Sequence, residues 1–257
     1  MNTLENQMLD SLKKLKEIHG VYGIKAEFEA EGSRMDELIR LRELVLRAKL
    51  NFIIKIGGCE AVHDMNQCKL LGATGIMAPM IETPFAMSKY KSTAKRVYGD
   101  EMNEIEWIIN AETQTCLTNY DDILSVGDGF LHAVTVGRSD LSASMGIERA
   151  NIETQPIYDA TRYLVEKSKQ NNLITNFGGN IGVESIPFIQ QMSDIADRFE
   201  TRKVIIQIHN DNDKLREAIC EALQFELLYL LNKRNMYNVI SLEDDVRIER
   251  MKKQLGI

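Results

Sequence analysis

Two acidic residues, Glu112 and Asp140, each follow an apolar run that turns polar at its end. The two stretches cover residues 108–113 and 136–142, and one helix-sized segment, residues 116–126, lies between them. This pattern is typical of two neighbouring parallel strands joined by a crossover helix, with one carboxylate at the C-terminal end of each strand. Two hard oxygen donors in that position predict a Mg²⁺ or Mn²⁺ site that leaves coordination positions for a substrate. The alternative, that both acids only begin loops or cap helices, stays open at this point.

Parallel strands are needed to position such carboxylates, and the chain contains seven runs typical of buried strands, each followed by a helical pattern. No GxGxxG or GxxxxGK[ST] motif follows any of the runs, which argues against an open nucleotide-binding sheet. Polar residues at nearly every strand end favour a closed TIM-type (β/α)₈ barrel with one shared active-site face, although the eighth strand is not identified. The seven predicted strands cover residues 22–28, 51–56, 75–81, 104–111, 130–137, 173–177 and 203–208.

The length of 257 residues agrees with this fold, because an eight-stranded barrel typically needs about 250 residues. We therefore predict one barrel domain over residues 1–257, with an N-terminal helix within 1–20 and C-terminal helices within 211–257. The latter are expected at residues 213–232 and 242–255, where apolar residues recur at helical spacing.

Composition excludes several classes of protein. The net charge is −7, and no basic stretch with interleaved aromatic residues is present, so no nucleic-acid partner is expected. The four cysteines form no CxxC pair, the N-terminus lacks a signal-peptide pattern, and no apolar run approaches the roughly 18 residues that span a bilayer. These features predict a cytoplasmic protein with reduced thiols and no membrane partner.

Three segments resemble the HpcH/HpaI aldolase and citrate lyase β-subunit family. They are residues 75–82 (GIMAPMIE), residues 110–113 (NAET) and residues 136–146 (VGRSDLSASMG), and the likeness covers residues 22–209 in the order of the family. The resemblance implies a phosphoenolpyruvate/pyruvate-type (β/α)₈ barrel that uses a divalent metal to make or break a carbon–carbon bond next to a 2-oxo acid. The family also includes enzymes that act on acyl-thioesters.

The resemblance also implies roles for individual residues. Glu112 and Asp140 match the two carboxylate ligands of the metal, and the backbone N–H groups around Ser139 and Asp140 match those that receive the substrate carboxylate. Lys55 lies where the family usually has an arginine that contacts the 2-oxo acid. Asn110 lies where relatives often carry a polar residue that points at the site.

Two departures from the family pattern affect the chemistry. Lys55 lacks the planar donor pair of arginine, so it would hold a carboxylate less directionally. Glu27 and Glu29 resemble the early acidic pair of the family, but the histidine that follows it in the aldolase branch is Ala30 here. Proton transfer must then come from another group, for example metal-bound water or Lys55. A strand of the family barrel is also expected to be missing or disguised near the N-terminus.

Other candidate residues each have more than one interpretation. Lys55 could be a catalytic cation, or it could form a Schiff base with the substrate as a nucleophile. It could instead only neutralise nearby acidic residues. Arg138 could bind a distal carboxylate or phosphate of the substrate, or form a salt bridge within the protein. The glycine-rich loop at 178–182 could expose N–H groups to an anion or could simply form a turn.

Among the histidines, His209 is the candidate general acid or base, because it ends a predicted strand at the presumed active face. Glu29 and Lys55 complete the set of candidate catalytic residues. His63 on a helix is expected to face solvent or to pack, and His132 inside a strand is expected to be a satisfied core histidine and not a ligand.

The leading hypothesis is a metal-dependent carbon–carbon lyase or aldolase that acts on a small 2-oxo acid. The alternatives are a catalytically weak barrel with a binding or assembly role and an enzyme acting on an acyl-thioester or a phosphorylated three-carbon acid. Because the family commonly packs or swaps a C-terminal helix between subunits, the resemblance also implies a homo-oligomer; the alternative is a helix that only covers the barrel, followed by a frayed tail.

Overall fold

Eight strands form a closed barrel within residues 1–255, the part of the backbone that this computed structural model describes. Side chains are described for residues 1–236, 248 and 252. Strands that follow each other in the chain are neighbours in the barrel, so the predicted TIM-type fold is confirmed. The strands are β1 (Val21–Glu27), β2 (Asn51–Lys55), β3 (Gly75–Ala78), β4 (Glu106–Ala111), β5 (Ala133–Gly137), β6 (Ile174–Gly178), β7 (Arg198–Glu200) and β8 (Val204–Gln207).

The last strand runs in the opposite direction to the others. Strands β1 to β7 pair in parallel, whereas β8 is antiparallel to both β7 and β1. A β7–β8 hairpin turn at residues 201–203 therefore lies at the end of the barrel where the parallel strands finish. The strand predicted at 203–208 is this reversed strand, so the expectation that it is parallel was wrong. The strand that the sequence analysis did not identify is β7, which has three residues, and not a segment near the N-terminus.

Helices cover the outside of the barrel. The two predicted C-terminal helices are one continuous helix, because residues 232–242 contain no glycine or proline that would end it. Short 3₁₀ turns lie at Gly99–Glu104, Arg149–Asn151 and Val183–Ser185. The helices are α1 (Thr3–His19), α2 (Met35–Arg47), α3 (Val62–Leu71), α4 (Pro84–Tyr98), α5 (Gln114–Thr118), α6 (Tyr120–Gly127), α7 (Arg138–Ser144), α8 (Gln155–Gln170), α9 (Ile186–Met192) and α10 (Asn212–Leu255).

The first and last helices pack against each other across one side of the barrel. The Ser11 hydroxyl donates to Glu221 at 2.6 Å, and the Asn2 side chain donates to Asn232 at 2.7 Å. These contacts tie the N-terminal helix to α10. Within the described residues, no helix is both long and apolar enough to cross a membrane.

The interior of the barrel is divided into an apolar layer and a polar layer. Ile53, Ile108 and Ala133 belong to a small buried cluster that is separate from the main core between strands and helices. Side chains two positions further along a strand lie on the same face, about 7 Å nearer the C-terminal end. At those positions β2 carries Lys55 and β4 carries Asn110, both of which are buried. The sequence of each strand thus places polar groups above an apolar floor.

The opposite end of the barrel is closed by a polar contact. The Tyr22 hydroxyl donates to Glu106 at 2.5 Å, and Arg198 forms a salt bridge of 3.1 Å with the same carboxylate. The Arg198 guanidinium also lies 3.4 Å from the centre of the Tyr22 ring. This contact leaves the C-terminal ends of the strands as the open end.

We expect Trp107→Ala to lower the free energy of unfolding by about 3–5 kcal/mol, because it would leave a cavity in the outer core. The Trp107 ring is stacked on Phe130 at a centroid distance of 5.3 Å and meets Tyr90 and Tyr98 edge-on. Urea unfolding followed by circular dichroism measures the change. Phe85→Ala on the exposed face of α4 is the control and should change the free energy by less than about 0.5 kcal/mol. Equal effects of the two substitutions would contradict this packing.

Candidate active site

A cavity of about 550 Å³ lies at the C-terminal ends of the parallel strands. This volume falls within the range of about 300–1,000 Å³ that is typical of small-molecule sites. Ala30, which occupies the position of the histidine in the aldolase branch, also lines the cavity. Its side chain has no group that could move a proton. The cavity brings together six of the residues singled out in the sequence, namely Glu29, Lys55, Asn110, Glu112, Ser139 and Asp140.

Glu112, directly after β4, is held in place by two hydrogen bonds. The Met80 backbone N–H donates to its Oε1 at 3.1 Å, and the Asn110 side-chain amide donates to its Oε2 at 2.8 Å. A Cβ atom on Gly137 would lie 2.6 Å from Oε2, so the absence of a side chain at the end of β5 makes room for the carboxylate. Three separate segments therefore fix the orientation of Glu112.

The Glu112 carboxylate interacts electrostatically with Asp140 and Lys55. Burial raises its pKa, the positive charge of Lys55 acts in the opposite direction, and the negative charge of Asp140 raises the pKa further. Asp140 lies in the first turn of α7 and is exposed to the cavity. The two carboxylates are thus near neighbours whose mutual repulsion a cation would relieve.

Lys55, the last residue of β2, bridges two acids. Its Nζ lies 2.8 Å from Glu29 Oε2 and 3.5 Å from Glu112 Oε2. Burial alone would lower the pKa of Lys55, but the carboxylates of Glu112 and Glu29 outweigh it and the pKa is raised. Lys55 is therefore a protonated cation at neutral pH, which disfavours the Schiff-base alternative because that chemistry needs a free amine.

A second lysine, Lys25, lies in the floor of the cavity and was not singled out from the sequence. It is fully buried, forms a salt bridge with Glu200 and lies 3.5 Å from Glu27 Oε1. The Asn176 side chain donates to Glu200 at 2.6 Å and to the Thr135 hydroxyl at 3.1 Å. Lys25 and Glu27, two positions apart on β1, could have indicated a buried ion pair from the sequence alone. The second partner of Lys25, Glu200, lies on the short strand β7, which the sequence analysis did not identify.

The structure corrects the prediction that Arg138 binds substrate. Its side chain is fully buried and does not line the cavity. The guanidinium donates to the carbonyl oxygens of Gly178 and Gly179 at 3.1 and 2.9 Å and to Glu153 at 3.0 Å. It also lies 4.2 Å from the centre of the Phe188 ring. Arg138 therefore holds the loop after β6, which is the salt-bridge alternative considered for it.

This loop passes close to the start of α7. A Cβ atom on Gly179 would lie 2.6 Å from the Ser139 backbone nitrogen, and the residue has a φ of +97°, a conformation that favours glycine. The glycine-rich loop at 178–182 also lines the cavity, as does Ser139. The absence of a side chain at Gly179 leaves the Ser139 amide uncovered from that side.

The structure also corrects the placement of His209. Because β8 is antiparallel, His209 lies at the end of the barrel where β1 begins, and its Nε2 is 3.3 Å from the carbonyl oxygen of His19. It cannot act as a general acid or base in the cavity at the other end. His132 precedes β5 and is exposed, so the expectation of a core histidine inside a strand was wrong, although its Nδ1 accepts a hydrogen bond from the Trp107 backbone N–H at 3.2 Å.

The chemistry of the donor set fits a hydrated divalent cation. Among the described residues, no group of three or more His, Cys, Asp and Glu side chains could hold a metal ion. Mg²⁺ is, however, commonly bound through one or two carboxylates, with substrate oxygens and waters completing the shell, and Glu112 and Asp140 supply two. Asn110 Oδ1 is buried in the cavity wall without a partner in the described structure, so it can accept from a bound water or substrate hydroxyl.

The sequence model of the family described as HpcH/HpaI aldolase/citrate lyase matches residues 48–179. Several solved structures have a similar fold. A HpcH/HpaI aldolase/citrate lyase family protein from Burkholderia cenocepacia J2315 aligns over 87% of this chain and 98% of its own, with 14% identity and a TM-score of 0.60. The HpcH/HpaI aldolase from Desulfitobacterium hafniense DCB-2 aligns over 84% and 87%, with 14% identity and a TM-score of 0.62. The citrate synthase SbnG aligns over 85% and 88%, with 15% identity and a TM-score of 0.60. None of the curated proteins matches the chain.

We expect Lys25→Met to lower the free energy of unfolding by about 3–5 kcal/mol, because Glu200 would lose its cation in the barrel interior. Urea unfolding measures the change. The double variant Lys25→Met/Glu200→Gln should recover part of the loss, since the glutamine still accepts from Asn176 without a buried charge. Lys167→Met, which breaks the solvent-exposed pair with Asp121, is the matched control and should leave the free energy of unfolding close to that of the wild type. If Lys25→Met costs no more than the control, Lys25 does not stabilise the floor.

Proposed function

This chain belongs to the HpcH/HpaI aldolase/citrate lyase family, and on that premise we propose that it is a metal-dependent carbon–carbon lyase or aldolase acting on a 2-oxo acid. The observation that carries the proposal is the pairing of Glu112 and Asp140. They follow adjacent parallel strands and face the cavity that also contains Lys55. A hard, anionic donor pair beside a fixed cation is suited to 2-oxo acid chemistry.

Glu112 and Asp140 would hold Mg²⁺ or Mn²⁺. When bound, such an ion acts as a Lewis acid that stabilises the enolate produced by cleavage. The Asn110 amide and the Met80 N–H keep Glu112 oriented toward the cavity before any ligand arrives. This preorganisation avoids reorienting a buried carboxylate during the reaction.

The substrate carboxylate is received by the backbone N–H groups of Ser139 and Asp140 in the first turn of α7, where the helix dipole also favours an anion. Lys55 supplies positive charge on the β2 side of the cavity, where it stabilises the negative charge that develops on the enolate oxygen. Because Lys55 is already paired with Glu29 and Glu112, it is held in one orientation.

Glu29 is the group that moves the proton in this proposal. It lines the cavity, is partly exposed and lies 2.8 Å from Lys55, whereas Ala30 has no titratable group. In the cleavage direction Glu29 accepts the proton of the substrate's 4-hydroxyl as the C3–C4 bond breaks and the aldehyde forms. The same proton then returns to C3 of the enolate, so that pyruvate leaves and Glu29 is again ionised.

We further propose that the chain acts as one barrel domain over residues 1–257 and as a cytoplasmic homo-oligomer. Support for assembly comes from two exposed leucines on one face of α10, Leu227 and Leu230. All four cysteines are free, which agrees with a reducing compartment.

Release of pyruvate from a 4-hydroxy-2-oxo acid, followed with a coupled dehydrogenase, tests the activity. Turnover distinguishes aldol cleavage from the acyl-thioester and phosphorylated three-carbon alternatives. Metal-dependent binding of pyruvate without turnover of any such acid would favour those alternatives. A protein that binds neither metal nor pyruvate would favour a binding or assembly role.

We expect Glu112→Gln and Asp140→Asn each to weaken Mn²⁺ binding at least about tenfold, because each replaces a charged ligand with a neutral one. Calorimetric titration of chelator-treated protein measures the affinity. Glu82→Gln is the matched control: Glu82 follows β3 but does not line the cavity, so its substitution should leave the affinity unchanged. If both site variants bind Mn²⁺ as the wild type does, the assignment of the ligands is wrong.

A further inference from the structure

Four cationic side chains line the cavity among the described residues, and three of them are neutralised by carboxylates of the protein. Their positive charge is therefore already used within the chain. The fourth, Arg149, forms no salt bridge with any described residue. The three neutralised cations and their partners are Lys25 with Glu27 and Glu200, Lys55 with Glu29 and Glu112, and Arg202 with Glu27 and Glu31.

Arg149 contacts a neutral amide instead. Its guanidinium donates to Asn180 Oδ1 at 3.4 Å, the one hydrogen bond that it makes within the described part of the chain. This contact orients the guanidinium without compensating its charge. Most of its donors therefore remain available at the cavity wall, and its planar donor set suits a carboxylate or a phosphate.

Arg149 is exposed at the rim of the cavity, whereas Glu112 and Lys55 are buried in it. It begins the short 3₁₀ turn Arg149–Asn151 in the long connection between α7 and α8, and its partner Asn180 follows β6. In a closed barrel of eight strands in sequential order, β6 stands opposite β2, which carries Lys55. A ligand whose 2-oxo acid end is held by the buried groups therefore presents to Arg149 the end that extends toward the rim.

We propose that Arg149 binds an anionic group, a carboxylate or a phosphate, at the end of the substrate remote from its 2-oxo acid. The inference rests on the proposed function, because it takes the 2-oxo acid end to be held at Glu112, Asp140 and Lys55. It makes Arg149 the specificity-determining residue of the site. Arg138, the arginine first considered for this role, is excluded because it is buried behind the loop after β6.

Three inert 2-oxo acids of matched length test this inference by calorimetric titration in the presence of Mg²⁺. 2-Oxopentanoate ends in a methyl group, 2-oxoglutarate in a carboxylate and 2-oxo-4-phosphonobutanoate in a phosphonate. None has a 4-hydroxyl, so none can undergo aldol cleavage during the measurement. Pyruvate, which has no distal group, reports on the 2-oxo acid end alone.

The wild type should bind at least one of the two acids with a distal anion about tenfold to a hundredfold more tightly than 2-oxopentanoate, as expected for a charge-assisted contact. The Arg149→Gln variant should lose this preference while keeping its affinity for pyruvate and 2-oxopentanoate. Arg96→Gln, the same change of charge on the exposed outer face of α4, should keep the preference. Which of the two anions binds more tightly identifies the carboxylate or the phosphate as the group recognised.

Two results would overturn the inference and a third would also overturn the proposed function. If the wild type binds pyruvate but does not distinguish a distal anion from a methyl group, Arg149 has no such role. If Arg149→Gln keeps the preference, another group provides it. If neither pyruvate nor any of the longer acids binds with Mg²⁺, the 2-oxo acid site itself is wrong.

Discussion

The compensation of buried carboxylates inside the barrel mouth is the constraint on which the rest of the structure depends. Glu27, Glu112 and Glu200 are all nearly inaccessible to water, and an uncompensated charge in such a place is strongly destabilising. Lys25 and Lys55 satisfy this requirement from β1 and β2. The same pairing keeps the site polar, fixes its side chains and prevents either lysine from acting as a free amine. Binding and stability are therefore linked in one set of contacts.

The reversed strand determines how the mouth is closed between β7 and β1. Because β8 returns toward the start of β1, a three-residue turn replaces the loop and helix that would follow a parallel strand there. The turn brings Arg202 and Lys203 to Glu31 at the rim, and the side of α10 completes that wall through Leu223 and Glu226. One part of the cavity wall is thus built from a tight, ion-paired turn, and a part near it is built from the longer connection that carries Arg149.

Sequence patterns predicted the barrel and the acids at the ends of β4 and β5, because buried parallel strands are long apolar runs and polar residues at their ends stand out. They missed β7 because Arg198 and Glu200 occupy two of its three positions and leave no apolar run. They misplaced His209 because an apolar run does not encode the direction of its strand. The sequence could not decide whether Arg138 binds substrate or forms a salt bridge. Its burial depends on a loop about 40 residues further along the chain, which a local pattern does not show.

The central claim is that Glu112, Asp140 and Lys55 form a site for the enolate of a 2-oxo acid. Calorimetric titration of Mg²⁺ and Mn²⁺ into chelator-treated protein, with and without oxalate, tests it most directly, because oxalate mimics the planar enolate of pyruvate. The account predicts that oxalate strengthens metal binding and that each metal in turn strengthens oxalate binding, as thermodynamic linkage requires. Absence of metal binding in both conditions would contradict the account.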